Sequence, residues 1–269
     1  MFSIIGRREG PCLYRRHAFF PSRPPSWKYE MLVTNFHLKR FLYTVMCGFR
    51  QLRDVAEIHP ARALALRALE RTADFIERDM PDALGMEKQA DVLRYSLSQV
   101  TLDGAFLEFG VFNGGTARFI SKLIGRRQLH GFDSFEGLPE AWTGFDLGSR
   151  AFSRQGRLPR VPANVTLHKG WFNDTIPKWK ADHPGRLAFV HIDCDIYSST
   201  KTILDLLADR IEPGTIIVFD EYFNFPNWEA HEHKAFYEYL AANRVAYEPL
   251  AYARQQLAVK IKAIQAADT

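Results

Sequence analysis

The stretch Ala105-Phe-Leu-Glu-Phe-Gly-Val-Phe-Asn-Gly-Gly-Thr116 limits what this chain can become more than any other. Ala105–Phe109 reads as a short buried strand. Gly110, Gly114 and Gly115 read as a flexible turn, and Thr116 opens an amphipathic helix running to Ile124. Strand, glycine turn and helix, in that order, build a ligand site in an open α/β sheet. The turn lies at the carboxyl end of the strand, and the helix start offers free N–H groups. A second strand, Leu129–Phe132, ends in Asp133, where a carboxylate can accept both hydroxyls of a ribose. The glycines are not spaced G-x-G-x-x-G, and Val111 and Phe112 fill the place where backbone would approach a pyrophosphate. A nucleoside without phosphates, carrying a charged amino-acid tail, fits this turn better.

The 269 residues, 46% of them hydrophobic, suffice for one α/β domain with an N-terminal extension. No run reaches the roughly 20 apolar residues of a membrane span, so no stable membrane insertion is expected. Cys12, Cys47 and Cys194 are far apart, which fits a reducing, cytoplasmic setting and offers no zinc spacing. Residues 1–53 hold ten Lys/Arg and two Glu, a net +8, against −4 for the remainder. The basic part is therefore a tail, read as a solvated extension, with no nucleic-acid partner expected. Residues 1–28, with Pro21, Pro24 and Pro25, are predicted to be disordered. Residues 29–100 form a predicted helical cap, suited to a homodimer surface. It comprises Tyr29–Leu52, Ala61–Met80 with Leu64, Leu66, Leu69, Ala73 and Ile76 facing inward, and Lys88–Val100.

Residues 101–269 form the predicted α/β domain. A long aromatic- and glycine-rich loop, 134–162, leads to the strand Val165–Lys169, after which Trp171 and Phe172 are placed to flank an adenine ring. The strand Leu187–Ile192 runs into Asp193-Cys194-Asp195, and Thr215–Phe219 runs into Asp220-Glu221. Helices are predicted over Thr200–Leu207 and roughly 229–242, and the strands Ala246–Leu250 and Leu257–Ile261 pair antiparallel. The alternation implies a doubly wound, mostly parallel sheet. Three strands then end in carboxylates along one rim, where like charges repel unless a cation intervenes. Oxygen ligands suit Mg²⁺ or Ca²⁺ rather than zinc, and a hydroxyl held on such an ion is more acidic. His191 reads as a core residue, and His231 and His233 as surface residues.

Four motifs, Glu108–Thr116, Phe132–Pro139, His191–Thr200 and Pro213–Glu221, resemble the macrocin O-methyltransferase family of the TylF type, in the same order and over about residues 85–262. The resemblance implies a class I, Rossmann-like S-adenosylmethionine fold and Mg²⁺-dependent methylation of a small-molecule hydroxyl, often on a natural-product sugar. It implies that Glu108, Gly110 and Thr116, with Asn113 and Gly114 of the turn, border the methionine end of the cofactor. Asp133 and Ser134 meet its ribose, and Trp171 stands beside them. Asp193, Asp220 and Glu221 hold the metal, and Asp193 or Asp195 acts as base. The family pattern has Asp-Asp where this chain has Asp220-Glu221, which leaves Glu221 open as a ligand. A catechol-type or metal-free methyltransferase is the nearest alternative. A nicotinamide-dependent oxidoreductase is the next, and the missing G-x-G-x-x-G argues against it.

Overall fold

The three strands that end in acids lie side by side or nearly so in one eight-stranded sheet of order β1-β7-β8-β6-β5-β2-β3-β4. The structure, a computed structural model, describes residues 59–142, 148 and 150–264; the tail 1–28 and the predicted helix 29–52 lie outside the described residues. The elements are α1 (Pro60–Asp79), β1 (Leu84–Gly85), α2 (Gln89–Ser98), β2 (Ala105–Phe109), α3 (Gly115–Ile124), β3 (Leu129–Asp133), β4 (Val165–Lys169) and α4 (Phe172–Asp182). They continue with β5 (Leu187–Ile192), α5 (Tyr197–Leu207), β6 (Ile216–Phe219), α6 (Glu232–Asn243), β7 (Val245–Ala253) and β8 (Gln256–Ile264). All neighbouring strands run parallel except β8, which is antiparallel to both β6 and β7.

The continuous apolar runs of β2, β5 and β6 follow from burial on both sheet faces. One face packs on Val92 and Leu93 of α2 and on Ala117, Ile120 and Ile124 of α3. The other packs on Phe75 of α1, Ile176 and Trp179 of α4, Ile203 and Leu204 of α5, and Phe236 of α6. From β2 the chain builds outward through β3 to β4, then returns to β5 on the other side of β2. That reversal opens a crevice above the carboxyl ends of β2 and β5. Two backbone bonds fix its floor: the Gly110 N–H donates to the Phe132 carbonyl at 2.9 Å, and the Asp193 N–H to the Phe109 carbonyl at 2.8 Å.

Three expectations are corrected and one element is added. In α1 the buried residues are Ala68, Thr72 and Phe75, while Leu64, Leu66 and Leu69 are about half exposed. The packed stripe is the i, i+4, i+7 set nearer the end of the helix, and leucine content alone misplaced it. Leu84–Gly85 adds an edge strand within the segment read as helical cap, and α4, with Pro177 inside it, fills a span for which no element was predicted. His231 and His233 are not surface residues. His231 is buried ahead of α6, and His233 lies among the rings of Phe75, Tyr222, Trp228 and Tyr237.

Candidate active site

A cleft of about 870 Å³, open mouth included, occupies the crevice. Its wall carries Gly110, Asp133, Ser134, Trp171, Asp193, Asp195 and Glu221 together, with Phe112, Leu138, Trp142, Phe152 and Phe172 as the apolar part. Gly110 has φ +88°, and a Cβ there would run into the Asp193 carbonyl, so only glycine lets the ends of β2 and β5 come this close. Asp133 shapes the turn as well as the wall. One of its oxygens accepts the N–H groups of Val111 at 2.9 Å and Phe112 at 2.6 Å, and the other accepts that of Phe135 at 2.6 Å. The Ser134 hydroxyl accepts the Glu136 N–H at 3.0 Å.

The remaining sequence-predicted residues sit behind or beside the cleft. Asn113 accepts the Gly115 N–H at 3.0 Å, Gly114 (φ +77°) caps the start of α3, and Thr116 lies in its first turn. Glu108 is fully buried in β2, with Oε1 3.6 Å from Nδ1 of the equally buried His191. His191 Nε2 is 3.5 Å from Asp220 Oδ1. These are ion-pair contacts, slightly long for formed hydrogen bonds. Burial alone would lower the His191 pKa, yet Asp220 and Glu108 outweigh it and raise it to about 10.

The acids divide differently from the sequence expectation. Asp193, Asp195 and Glu221 each bring an oxygen within 4.8 Å of the others. Asp220 stands outside this trio. It accepts the Gln256 amide on one oxygen and the Gln89 amide on the other at 3.5 Å. Asp195 enters through a left-handed residue, φ +67°, a conformation Asp tolerates better than most. Burial first, then the charge of Asp220, drives Asp193 well above the usual carboxylate range. Asp195 rises to about 7 through burial, then through Asp220 and Asp133. Glu221 rises through burial, then through Asp193 and Asp220. Burial also works to raise Asp220, but its contacts with His191, Glu221 and Gln256 hold it below the ordinary value. A divalent cation would relieve this crowding of acids. The donor set fits one: all oxygens, three ligands, and a buried Glu221 Oε2 with no hydrogen-bond partner. Glu232, fully buried at the start of α6, was not foreseen; only its place in a first helical turn hinted at it.

A family model described as macrocin O-methyltransferase (TylF) matches residues 80–251. The chain belongs to that family. It is 33% identical over 164 residues to 8-demethyl-8-(2,3-dimethoxy-alpha-L-rhamnosyl)-tetracenomycin-C 4'-O-methyltransferase of Streptomyces olivaceus, covering 50% of this chain and 60% of that one. It is 27% identical over 169 residues to mycinamicin III 3''-O-methyltransferase of Micromonospora griseorubida, covering 52% and 64%. The match thus spans under two thirds of either relative. Among solved structures the calicheamicin methyltransferase CalS11 shares the fold, with a TM-score of 0.54 at 21% identity over 78% of this chain and 90% of that one. The O-methyltransferase NovP does so with a TM-score of 0.50 at 24% identity, over 65% and 80%. The family member described here therefore has a class I, Rossmann-like methyltransferase fold.

Proposed function

We propose that this protein is an S-adenosylmethionine-dependent O-methyltransferase whose acceptor is a hydroxyl of a small molecule, and that the acidic trio binds Mg²⁺. One observation carries the reading: Asp193, Asp195 and Glu221 converge on the wall of the cleft that also holds Gly110 and Asp133. The two relatives are named for O-methylation of a rhamnosyl tetracenomycin and of mycinamicin III, so a sugar-bearing natural product is the acceptor class proposed.

S-adenosylmethionine, bound in the cleft, supplies a methyl group already activated by its positive sulfur. Gly110, Asp133, Ser134 and Trp171 would hold it. Glu108, Asn113, Gly114 and Thr116 would act by shaping the turn beneath. Mg²⁺, bound by Asp193, Asp195 and Glu221, would supply a grip on neighbouring acceptor hydroxyls and make one more acidic. This chain's own work is orientation and proton removal. Asp195 or Asp193 takes the hydroxyl proton on a carboxylate oxygen as the acceptor oxygen is aligned with the methyl. Phe112, Leu138, Trp142, Phe152 and Phe172 keep water from the line of approach. Asp220 is reassigned from ligand to support, held by His191, Gln89 and Gln256 at the end of β6.

The test is acceptor-dependent release of S-adenosylhomocysteine across a panel of glycosylated natural products, with and without a chelator. Release that stops on chelation and returns with Mg²⁺ supports the proposal. Equal release in both arms refutes the metal role, and failure to bind S-adenosylmethionine by calorimetry refutes the whole reading.

A further inference from the structure

Three consecutive main-chain N–H groups leave β6 and are tied to three different elements. Asp220 donates to the Ile192 carbonyl of β5 at 2.9 Å, and Tyr222 to the Gln255 carbonyl between β7 and β8 at 2.8 Å. The middle group, Glu221 N–H, donates to a side chain: Oε2 of Glu232, at 3.2 Å. Glu232 is wholly buried, and its other oxygen has no hydrogen-bond partner. A buried carboxyl with an unpartnered oxygen costs stability, and apolar residues of similar size fill such places at no such cost. Its presence calls for a reason beyond packing.

The geometry supplies one. The direction in which Glu221 leaves the strand decides whether its carboxylate reaches Asp193 and Asp195, with ligand oxygens within 4.8 Å of one another. That direction is fixed by the anchor on its N–H. Without Glu232 the N–H would be a buried orphan, free to turn toward another acceptor. The anchor also sits on a rigid element, the first residue of α6, whose terminus favours an acceptor oxygen there.

We propose that Glu232 is a positioning residue for the cation site: it holds the Glu221 main chain from behind and thereby aims the Glu221 carboxylate into the trio. The inference rests on the proposed binding of a divalent cation by Asp193, Asp195 and Glu221. Outer contacts of this kind commonly change metal affinity by about 10- to 100-fold. Glu232 acts through the acceptor oxygen and not through charge, so an amide should serve in its place.

The experiment is direct Mn²⁺ binding, followed by electron paramagnetic resonance, to the full chain and to Glu232→Gln and Glu232→Leu. S-adenosylhomocysteine affinity and thermal melting are measured on the same samples. Glu232→Gln should keep Mn²⁺ affinity within about 3-fold of the parent, and Glu232→Leu should lose about 10- to 100-fold while S-adenosylhomocysteine affinity stays within about 3-fold. Glu232→Leu binding Mn²⁺ as tightly as the parent overturns the inference and leaves the cation reading intact. So does a Glu232→Gln protein that folds but loses Mn²⁺, and that arm decides the matter should the leucine variant fail to fold. A parent protein that binds no Mn²⁺ ends both.

Discussion

Substituting Gly110 by alanine should damage the fold and the site together, and the size of the damage can be worked out from the backbone. Gly110 has φ +88°, and a Cβ built on it lands on the Asp193 carbonyl. The left-handed conformation costs a non-glycine residue about 1–2 kcal/mol. The collision adds to this, because neither strand end is free to retreat. Gly110 N–H is held by the Phe132 carbonyl at 2.9 Å and Asp193 N–H by the Phe109 carbonyl at 2.8 Å. Relief means giving up one of these bonds, about 1 kcal/mol, with over-packing of about 1–3 kcal/mol beside it. The sum is about 3–6 kcal/mol, a large part of the 5–15 kcal/mol or so that such a domain has. At roughly 2–4 °C per kcal/mol, Gly110→Ala should melt about 6–24 °C below the parent. Gly125→Ala is the control: φ is +67°, but no atom lies within 4 Å of its Cβ, so only the backbone cost applies. Differential scanning fluorimetry, with S-adenosylhomocysteine titrated into each protein, checks the pair. If Gly110→Ala melted no lower than Gly125→Ala and kept its affinity for S-adenosylhomocysteine, the close apposition of β2 and β5 would be wrong.

Three further outcomes follow from the same geometry. Asp195→Asn should lower turnover by about 10²-fold or more, as expected for loss of a general base, with S-adenosylhomocysteine affinity within about 3-fold by calorimetry. Trp171 is 41% exposed on the cleft wall, so Trp171→Ala should weaken S-adenosylhomocysteine by up to about 10-fold through lost ring contact, with little change in melting temperature. Burial, first among the causes, pushes His130 and His233 each down to about 4. Both stay neutral in the fold while the unfolded chain takes protons below about pH 6.5. Stability is therefore full above that pH and falls toward pH 4, by about 2 kcal/mol at pH 5 for the pair once partial exposure is allowed for. Urea unfolding at pH 7.5 and pH 5 measures the loss, and His130→Gln should reduce it.

The strands were legible because β3, β5 and β6 are short runs that each stop at or just before an acid, and β2 stops at a glycine turn, patterns that mark both the element and its end. Their neighbours were legible as a class but not as an order, since nothing local places β5 beside β2. The helix α4 was not legible because Pro177, inside it, reads as a helix breaker. The inward face of α1 was misread because Leu64, Leu66 and Leu69 are the more conspicuous apolar residues, while Ala68, Thr72 and Phe75 are the ones that pack. In the site, Asp193 and Glu221, both expected as ligands, lie close together, and Asp195 rather than Asp220 completes the group of carboxylates within 4.8 Å. That exchange depends on the left-handed turn at Asp195 and on the Gln89 and Gln256 amides that occupy the Asp220 oxygens, neither visible in a linear pattern. Glu232 meets Glu221 across a loop of 10 intervening residues with no repeat to announce it.

The most direct test is anomalous diffraction at the manganese edge from crystals grown with S-adenosylhomocysteine and Mn²⁺. The account predicts one strong peak at coordination distance from oxygens of Asp193, Asp195 and Glu221, beside cofactor density in the cleft above Gly110. Cofactor density in that cleft with no peak among those three carboxylates, or with the ion held by Asp220 instead, would contradict it.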